Sequence, residues 1–198
     1  MVKSTRCTWC GDDPLYVRYH DLEWGVPTRD RNALFELLAL EGMQAGLSWI
    51  TVLRKRRHLR GAMFALCPEA VARFGPRDRA RLLADTGVIR HPGKLDAIQI
   101  NAERFLEIDR EDDAVEFLWS FVGGRPIVNS WHSSGEIPAT TPIAEAMSRG
   151  LKVRGFKFVG PTICYAFMQA SGMVNDHIAG CFRHPQCNEP DAKRCVVA

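Results

Sequence analysis

Residues 32–53 read NALFELLALEGMQAGLSWITVL, and this stretch decides the fold. Leu34, Leu37, Leu38 and Ala45 recur at the three- and four-residue spacing of one helix face, and Glu41 sits among them on that face. Such a face is expected to be buried. The acid then loses solvation, so it must find specific hydrogen-bond partners, shift its pKa upward, or await a cationic or proton-donating ligand. Gly42 and Gly46 loosen the helix past the acid, and Ser48 before Trp49 reads as the N-cap of a second, strongly apolar helix running to about Arg57. Two helices meeting at a glycine-containing turn, with an acid and an indole at the corner, predict a small pocket.

Upstream, Asp12-Asp13-Pro14 supplies a helix start, and the short helix that follows carries Tyr16, Tyr19 and His20 on one face. Trp24-Gly25-Val26-Pro27 closes that segment, and Asp30 can cap the next helix. Downstream, glycine and proline separate short amphipathic helices over 68–74, 77–86, 94–108 and 114–122. Only 126–129 reads as extended. Residues 123–141, rich in Gly, Pro, Ser and Thr, are expected to wrap the surface without regular structure before a helix starting near Pro142. The chain is therefore expected to be all-α, with residues 1–198 forming a single domain, either one core or two tightly packed helical lobes with the pocket between them.

The bulk numbers of the 198-residue chain, 46% hydrophobic and 25% charged, are those of an ordinary soluble globule. No apolar run reaches membrane-span length, and MVKSTR at the start is followed by no hydrophobic signal core, so a cytoplasmic protein without a membrane partner is expected. Seven cysteines, an odd count, argue for thiols or metal ligands over a disulfide framework. A net charge of +3 does not choose a partner. Two local clusters say more: Arg54, Lys55, Arg56, Arg57, His58 and Arg60, and then Lys152, Arg154 and Lys157. Together they suit a phosphate-tracking surface, although each alone is equally readable as a solvated helix face.

The second informative stretch is 151–181, LKVRGFKFVGPTICYAFMQASGMVNDHIAGC. A helix is followed by a glycine-bounded turn, Phe156-Lys157-Phe158-Val159-Gly160, and by a helix with Pro161 and Thr162 in its first turn. The turn resembles a helix-hairpin-helix, in which backbone N–H groups at a helix start grip a DNA phosphate and glycine permits the close approach. A plain packing corner explains Gly160 and Pro161 about as well. Helical spacing also puts His177 and Cys181 one turn apart, good geometry for two ligands of one ion. Cys7 or Cys10, with His20, can complete a closed Cys2His2 shell joining the N-terminal segment to the C-terminal one, and ligand softness favours zinc. Cys187, Cys195 and His184 compete as ligands.

Read in order, Asp13-Pro14-Leu15-Tyr16, Tyr19-His20-Asp21, Glu23-Trp24-Gly25-Val26-Pro27, Leu40-Glu41-Gly42, the run 44–53, Arg90-His91 with Lys94, and the runs 119–122 and 155–160 resemble the 3-methyladenine DNA glycosylase I family. The resemblance spans about Cys7 to Cys181. It implies the helix-hairpin-helix DNA glycosylase fold, hydrolysis of the N-glycosidic bond of 3-methyladenine in alkylated duplex DNA, and one structural zinc per chain. Carried over residue by residue, it makes Cys7, His20, His177 and Cys181 the zinc ligands, Glu41, Tyr19 and Trp49 the base-pocket residues, and Trp9 and Tyr16 the flanking aromatics. Cys10 departs from the family pattern. So does Val174-Asn175-Asp176-His177, which places an amide, Asn175, where most helix-hairpin-helix glycosylases carry an aspartate; Asp176 is expected to support His177 from behind.

Chemistry accommodates that loss, because methylation at N3 leaves adenine positively charged and ready to depart as a neutral base. The enzyme must mainly extrude and hold it. Glu41 and Tyr19 are then the catalytic candidates, Glu41 accepting from the exocyclic amine, and Trp49, Tyr16 and Trp9 stack on the cation. Leu47 is the candidate wedge, and Lys157 and Gly160 the candidate DNA contacts. No lysine sits beside Glu41 in sequence, which predicts a monofunctional enzyme with a water nucleophile. The expected partners are alkylated double-stranded DNA and free 3-methyladenine as product, with the chain a monomer. The competing reading, a non-enzymatic zinc-stapled helical DNA-binding module, leaves the acid on an apolar stripe without a reason. A zinc hydrolase is disfavoured because four protein ligands leave no position for an activated water.

Overall fold

The computed structural model describes residues 5–188 and Arg194. Its α-helices, in chain order, are α1 (Pro14–Leu22), α2 (Arg31–Gln44), α3 (Trp49–Ala62), α4 (Pro68–Val71), α5 (Pro76–Ala84), α6 (Pro92–Glu111), α7 (Ala114–Ser120), α8 (Pro142–Val153), α9 (Pro161–Ala170) and α10 (Arg183–Gln186). Six of them begin on proline, whose missing N–H and fixed φ suit the first helical position. Asp13 accepts from the backbone N–H of Leu15 and Tyr16, and Asp30 from that of Ala33, as their positions in sequence predict. Ser48 occupies the expected cap position before α3, but its hydroxyl pairs with that of Thr51 at 2.8 Å. Among the described residues no helix is long and apolar enough to cross a membrane.

Helix α2 is the axis of the molecule, packing against α3, α6 and α9. Every residue from Leu34 to Met43 is buried, so the one-sided stripe read from sequence is in fact a helix enclosed all round. Ala45 lies outside the helix, at φ −46° and ψ 115°, and does not share the face of Leu34. A second buried acid, Glu36, explains how the full circumference can be covered. Arg56 of α3, 2% exposed, donates to Glu36 at 2.7 Å and to both oxygens of Glu23 at 2.7 and 2.8 Å. Arg56 therefore leaves the expected phosphate-facing cluster: it ties α3 to α2, because a buried guanidinium is tolerable only with carboxylates around it.

Residues 126–129 are extended as expected, and they pair. Ile127–Val128 forms β1, parallel to β2 (Val174–Asn175), with Ile127 opposite Val174. This two-residue ladder holds the long 123–141 segment against the end of α9 without altering the helical architecture.

Helix α6 braces two surface turns from one face. Lys94 donates to the carbonyls of Met43 and Ala45 at 2.9 and 2.5 Å, a cation closing the C-terminus of α2. Two turns along, Asn101 donates to the carbonyl of Lys157 at 2.9 Å and accepts its N–H at 2.7 Å, fixing the turn between α8 and α9. Phe156 and Val159 of that turn are buried, and the Ser148 hydroxyl donates to the Val159 carbonyl at 2.6 Å.

Candidate active site and metal centre

The corner of α2 and α3 opens on a cavity of about 330 Å³. Trp9, Tyr16, Tyr19, Trp24 and Trp49 supply its aromatic walls and Glu41 lies among them. Ring centroids stand 5.1 Å apart for Trp9 and Tyr16, 4.9 Å for Trp9 and Trp24, and 5.3 Å for Tyr19 and Trp49, all in tilted or edge-on contact. The five base-site residues expected from sequence thus converge on one cavity. A wider depression beside Arg31 is lined mainly by charges that pair with one another, Arg31 with Glu69 and Arg104 with Glu107.

Glu41 is 3% exposed, and its Oε2 has no hydrogen-bond partner among the described residues. Burial pushes its carboxyl up to about 8. Tyr19 is raised well above the usual phenol range by burial and then by Glu41, so its hydroxyl stays protonated. The indole N–H groups of Trp9 and Trp49 are also buried without a partner among the described residues. An acid, two indole donors and a phenol around an aromatic box can receive a flat, nitrogen-rich cation.

Sequence reasoning missed the rest of the wall. Ser134, Ile137 and Pro138 close one side, so the segment 123–141 lines the cavity and does more than wrap the surface. The hydroxyls of Thr8 and Ser134, 3.1 Å apart, tie it to the N-terminal segment. Tyr165 and Gln169 of α9 close another side. Their sole signal is polarity at i and i+4 on an otherwise apolar helix.

Leu47, at the α2–α3 corner, is 39% exposed and stands outside the core. The Lys157 side chain is exposed at the α8–α9 turn. Gly160 is the N-cap of α9 at φ −64°, a value any residue adopts, and a Cβ there would meet nothing within 4 Å. Nothing among the described residues requires glycine at that position.

Behind the aromatic box, Cys7, His20, His177 and Cys181 place one ligand atom each within 4.8 Å of one another, all buried. The Cys181 sulfur lies 3.5 Å from His20 Nε2 and 3.5 Å from His177 Nδ1, and the Cys7 sulfur 3.6 Å from His177 Nδ1. A tetrahedral ion bonded at about 2.3 Å to sulfur and about 2.0–2.1 Å to nitrogen separates those atoms by about 3.6 Å. The four residues therefore fit one metal ion. In the bare shell Cys181 is lowered, chiefly by the hydrogen bond from Cys7, and Cys7 is raised by that same bond and by burial. Burial lowers His177, which keeps the imidazole neutral as a ligand must be.

Both outer imidazole nitrogens are held. His20 Nδ1 meets Asp21 at 2.8 Å, with Asp21 clamped in turn by Arg6, and His177 Nε2 donates to the Trp24 carbonyl at 3.0 Å. Gly25 must be glycine, because a Cβ would stand 2.9 Å from the His177 ring and its φ is +77°.

Two expectations need correction here, and two open positions, Cys10 and Asn175, are resolved. His177 and Cys181 do not share a helix: residues 176–181 run as irregular chain and turn, and a reversal of the backbone brings them together. Cys10 is buried but turns its thiol to the Cys7 carbonyl at 3.1 Å, outside the cluster. Asp176 does not support His177; the Trp24 carbonyl does. Its own carboxylate accepts instead from Asn129, Trp131, Tyr165 and Gln169. Asn175 faces away from the cavity, donating to the His184 carbonyl at 2.9 Å and to Asn188 at 2.6 Å. Of the competing ligands, His184 meets the Asn129 carbonyl, Cys187 lies outside the cluster, and Cys195 is outside the described residues.

This arrangement matches known proteins along nearly its whole length. A family profile for methyladenine glycosylases matches residues 9–184. The DNA-3-methyladenine glycosylase 1 of Escherichia coli (strain K12) is 51% identical over 181 residues, 91% of this chain and 97% of that one. A crystal structure of 3-methyladenine DNA glycosylase I superposes with a TM-score of 0.90 at 52% identity, covering 91% of this chain and all of the other. The Staphylococcus aureus 3-methyladenine DNA glycosylase I, whose structure addresses 3-methyladenine recognition, follows with a TM-score of 0.88 at 36% identity over 91% of this chain and 96% of that one. The enclosed acid, the aromatic box and the fold around them thus occur in a chain that belongs to the methyladenine glycosylase family.

Proposed function

We propose that this chain hydrolyses the N-glycosidic bond of 3-methyladenine in alkylated duplex DNA and releases the free base without a lyase step. One observation carries the reading: an enclosed carboxyl, with an oxygen unpartnered among the described residues, opens into an aromatic cavity of about 330 Å³, room enough for a purine. The flipped base, cationic through its N3 methyl group, stacks among Trp49, Tyr16 and Trp9. Glu41 accepts from its exocyclic amine and Tyr19 reads another edge. Holding the cation in place of water stabilises the departing base as positive charge moves to the sugar. Leu47 fills the gap left in the duplex, and the α8–α9 hairpin grips the backbone through Gly160 and Lys157.

Zinc is the metal this donor set favours, held by Cys7, His20, His177 and Cys181. Four protein ligands close its shell, so it supplies cross-linking of the two chain ends and no reaction step. The chain works as a cytoplasmic monomer on this reading.

The decisive experiment is chromatographic identification of the bases released from methylated duplex DNA. Free 3-methyladenine is expected; its absence, with duplex binding intact, would leave a DNA-binding module. Incubation with an abasic-site duplex under borohydride is expected to trap no adduct, since the buried Lys94 amine is committed to two carbonyls. Efficient trapping would mean a lyase step. Lys157→Ala is expected to weaken duplex binding and to flatten log K against log salt by about one unit of slope. Binding with an unchanged slope would remove Lys157 from the phosphate contacts.

A further inference from the structure

The buried carboxylate of Asp176 is the most heavily bonded side chain near the cavity. It is fully enclosed, with Oδ1 accepting from Asn129 Nδ2 and Trp131 Nε1 at 2.7 Å each, and Oδ2 from Tyr165 Oη at 2.5 Å and Gln169 Nε2 at 2.7 Å. Two of those donors, Tyr165 and Gln169, line the candidate base cavity. A carboxylate accepts only, so it dictates how both are turned. The Tyr165 hydroxyl points back at Asp176, away from any ligand. The Gln169 amide nitrogen does the same, which settles the assignment of its two terminal atoms and leaves Oε1 as its free group, with no hydrogen-bond partner among the described residues.

We propose that Gln169 is a specificity-determining residue whose Oε1 meets the six-position of the extruded purine, and that Asp176 is the positioning residue that locks this orientation. The proposal rests on the glycosylase reading above and deepens it. Adenine carries an amine at that position, with hydrogens to donate; guanine carries a carbonyl oxygen. An acceptor fixed in the wall welcomes the first and repels the second. Glu41 cannot supply this discrimination alone. Its carboxyl, pushed up to about 8 by burial, carries a proton over much of the neutral range and could donate to a carbonyl. An amide oxygen never can. Gln169 thus rejects 3-methylguanine under conditions where Glu41 is ambivalent.

The role of Asp176 has its own signature. In Asp176→Asn, the new amide nitrogen must face either the Trp131 and Asn129 side or the Tyr165 and Gln169 side. The Trp131 N–H cannot become an acceptor, whereas a hydroxyl can rotate and the Gln169 amide can turn over. The nitrogen therefore faces Gln169, which turns and presents N–H to the base in place of Oε1.

The test measures release of 3-methyladenine and 3-methylguanine from the same methylated duplex by wild type, Gln169→Met and Asp176→Asn. Wild type is expected to favour 3-methyladenine. Gln169→Met, close in volume and without amide atoms, is expected to lower the ratio of the two rates by about tenfold. Asp176→Asn should lower it further, since a donor now faces the guanine carbonyl, and the double variant should return to the Gln169→Met ratio because Asp176 acts through Gln169. A purely structural role would slow both releases and leave their ratio alone. Gln169→Met leaves the four metal ligands in place and removes one of the four donors to Asp176, so it decides the specificity claim even where Asp176→Asn folds poorly. An unchanged ratio in Gln169→Met overturns the inference while the glycosylase reading stands; a wild type that releases no 3-methyladenine overturns both.

Discussion

Replacing Glu41 by glutamine is expected to lower 3-methyladenine release by about 100-fold while leaving nonspecific duplex binding nearly unchanged. The glutamine keeps the shape but cannot become an anion, so the pairing with a cationic base falls from charge-assisted to neutral. A loss of about 3 kcal/mol in the transition state corresponds to that factor. Because burial holds the free carboxyl at about 8, the wild-type kcat/KM is expected to rise with pH towards that value, and the variant to lack this limb.

Stability should move the opposite way. A carboxyl whose folded pKa is raised favours the protonated form, so ionisation adds no cost to its burial below the ordinary value of 4.5 and opposes folding increasingly as pH climbs to about 8. Wild type is therefore expected to lose stability relative to Glu41→Gln between those limits, on the order of a few kcal/mol. Thermal unfolding of both proteins at pH 5 and pH 8.5 reads this directly. A Tm difference that does not change with pH would count against an uncompensated buried acid.

The second large effect concerns the metal. Wild type is expected to contain about one zinc per chain, and His177→Ala to lose it together with roughly 10 °C or more of Tm. The shell joins Cys7 and His20 to His177 and Cys181, residues more than a hundred and fifty positions apart. Removing one ligand leaves two thiols and an imidazole enclosed without a cation. It also frees the segment that brings Trp9, Tyr16 and Tyr19 to the cavity, so base release should fall with the metal content. Elemental analysis beside a melting curve tests both halves. A metal-free wild type with an unchanged Tm would show that the cluster is held by its hydrogen bonds alone.

Much of this molecule is written in short-range signals. Asp13 and Asp30 cap the helices they precede, prolines open six helices, and the corner after Glu41 turns at Gly46, while Gly42 stays within α2. The order of motifs along the chain carried the family, and the side chains expected at the base site and the metal cluster do meet. Where the reading went astray, the deciding partner was remote. The α2 stripe hid a second buried acid because Glu36 is neutralised by Arg56, twenty residues away. Residues 123–141 had the composition of a surface loop, yet a parallel pairing with Val174–Asn175 lays them along the cavity.

The sequence by itself determined the helices, their caps and the identity of the groups that carry chemistry, because those depend on spacing within a turn or two of chain. Only the tertiary structure decided how those groups are turned. It set Asp176 against Asn129 and Trp131 rather than His177, and the Trp24 carbonyl on the His177 ring. Each of those is a hydrogen bond between distant segments, and such pairings are fixed only when the common core brings the segments together.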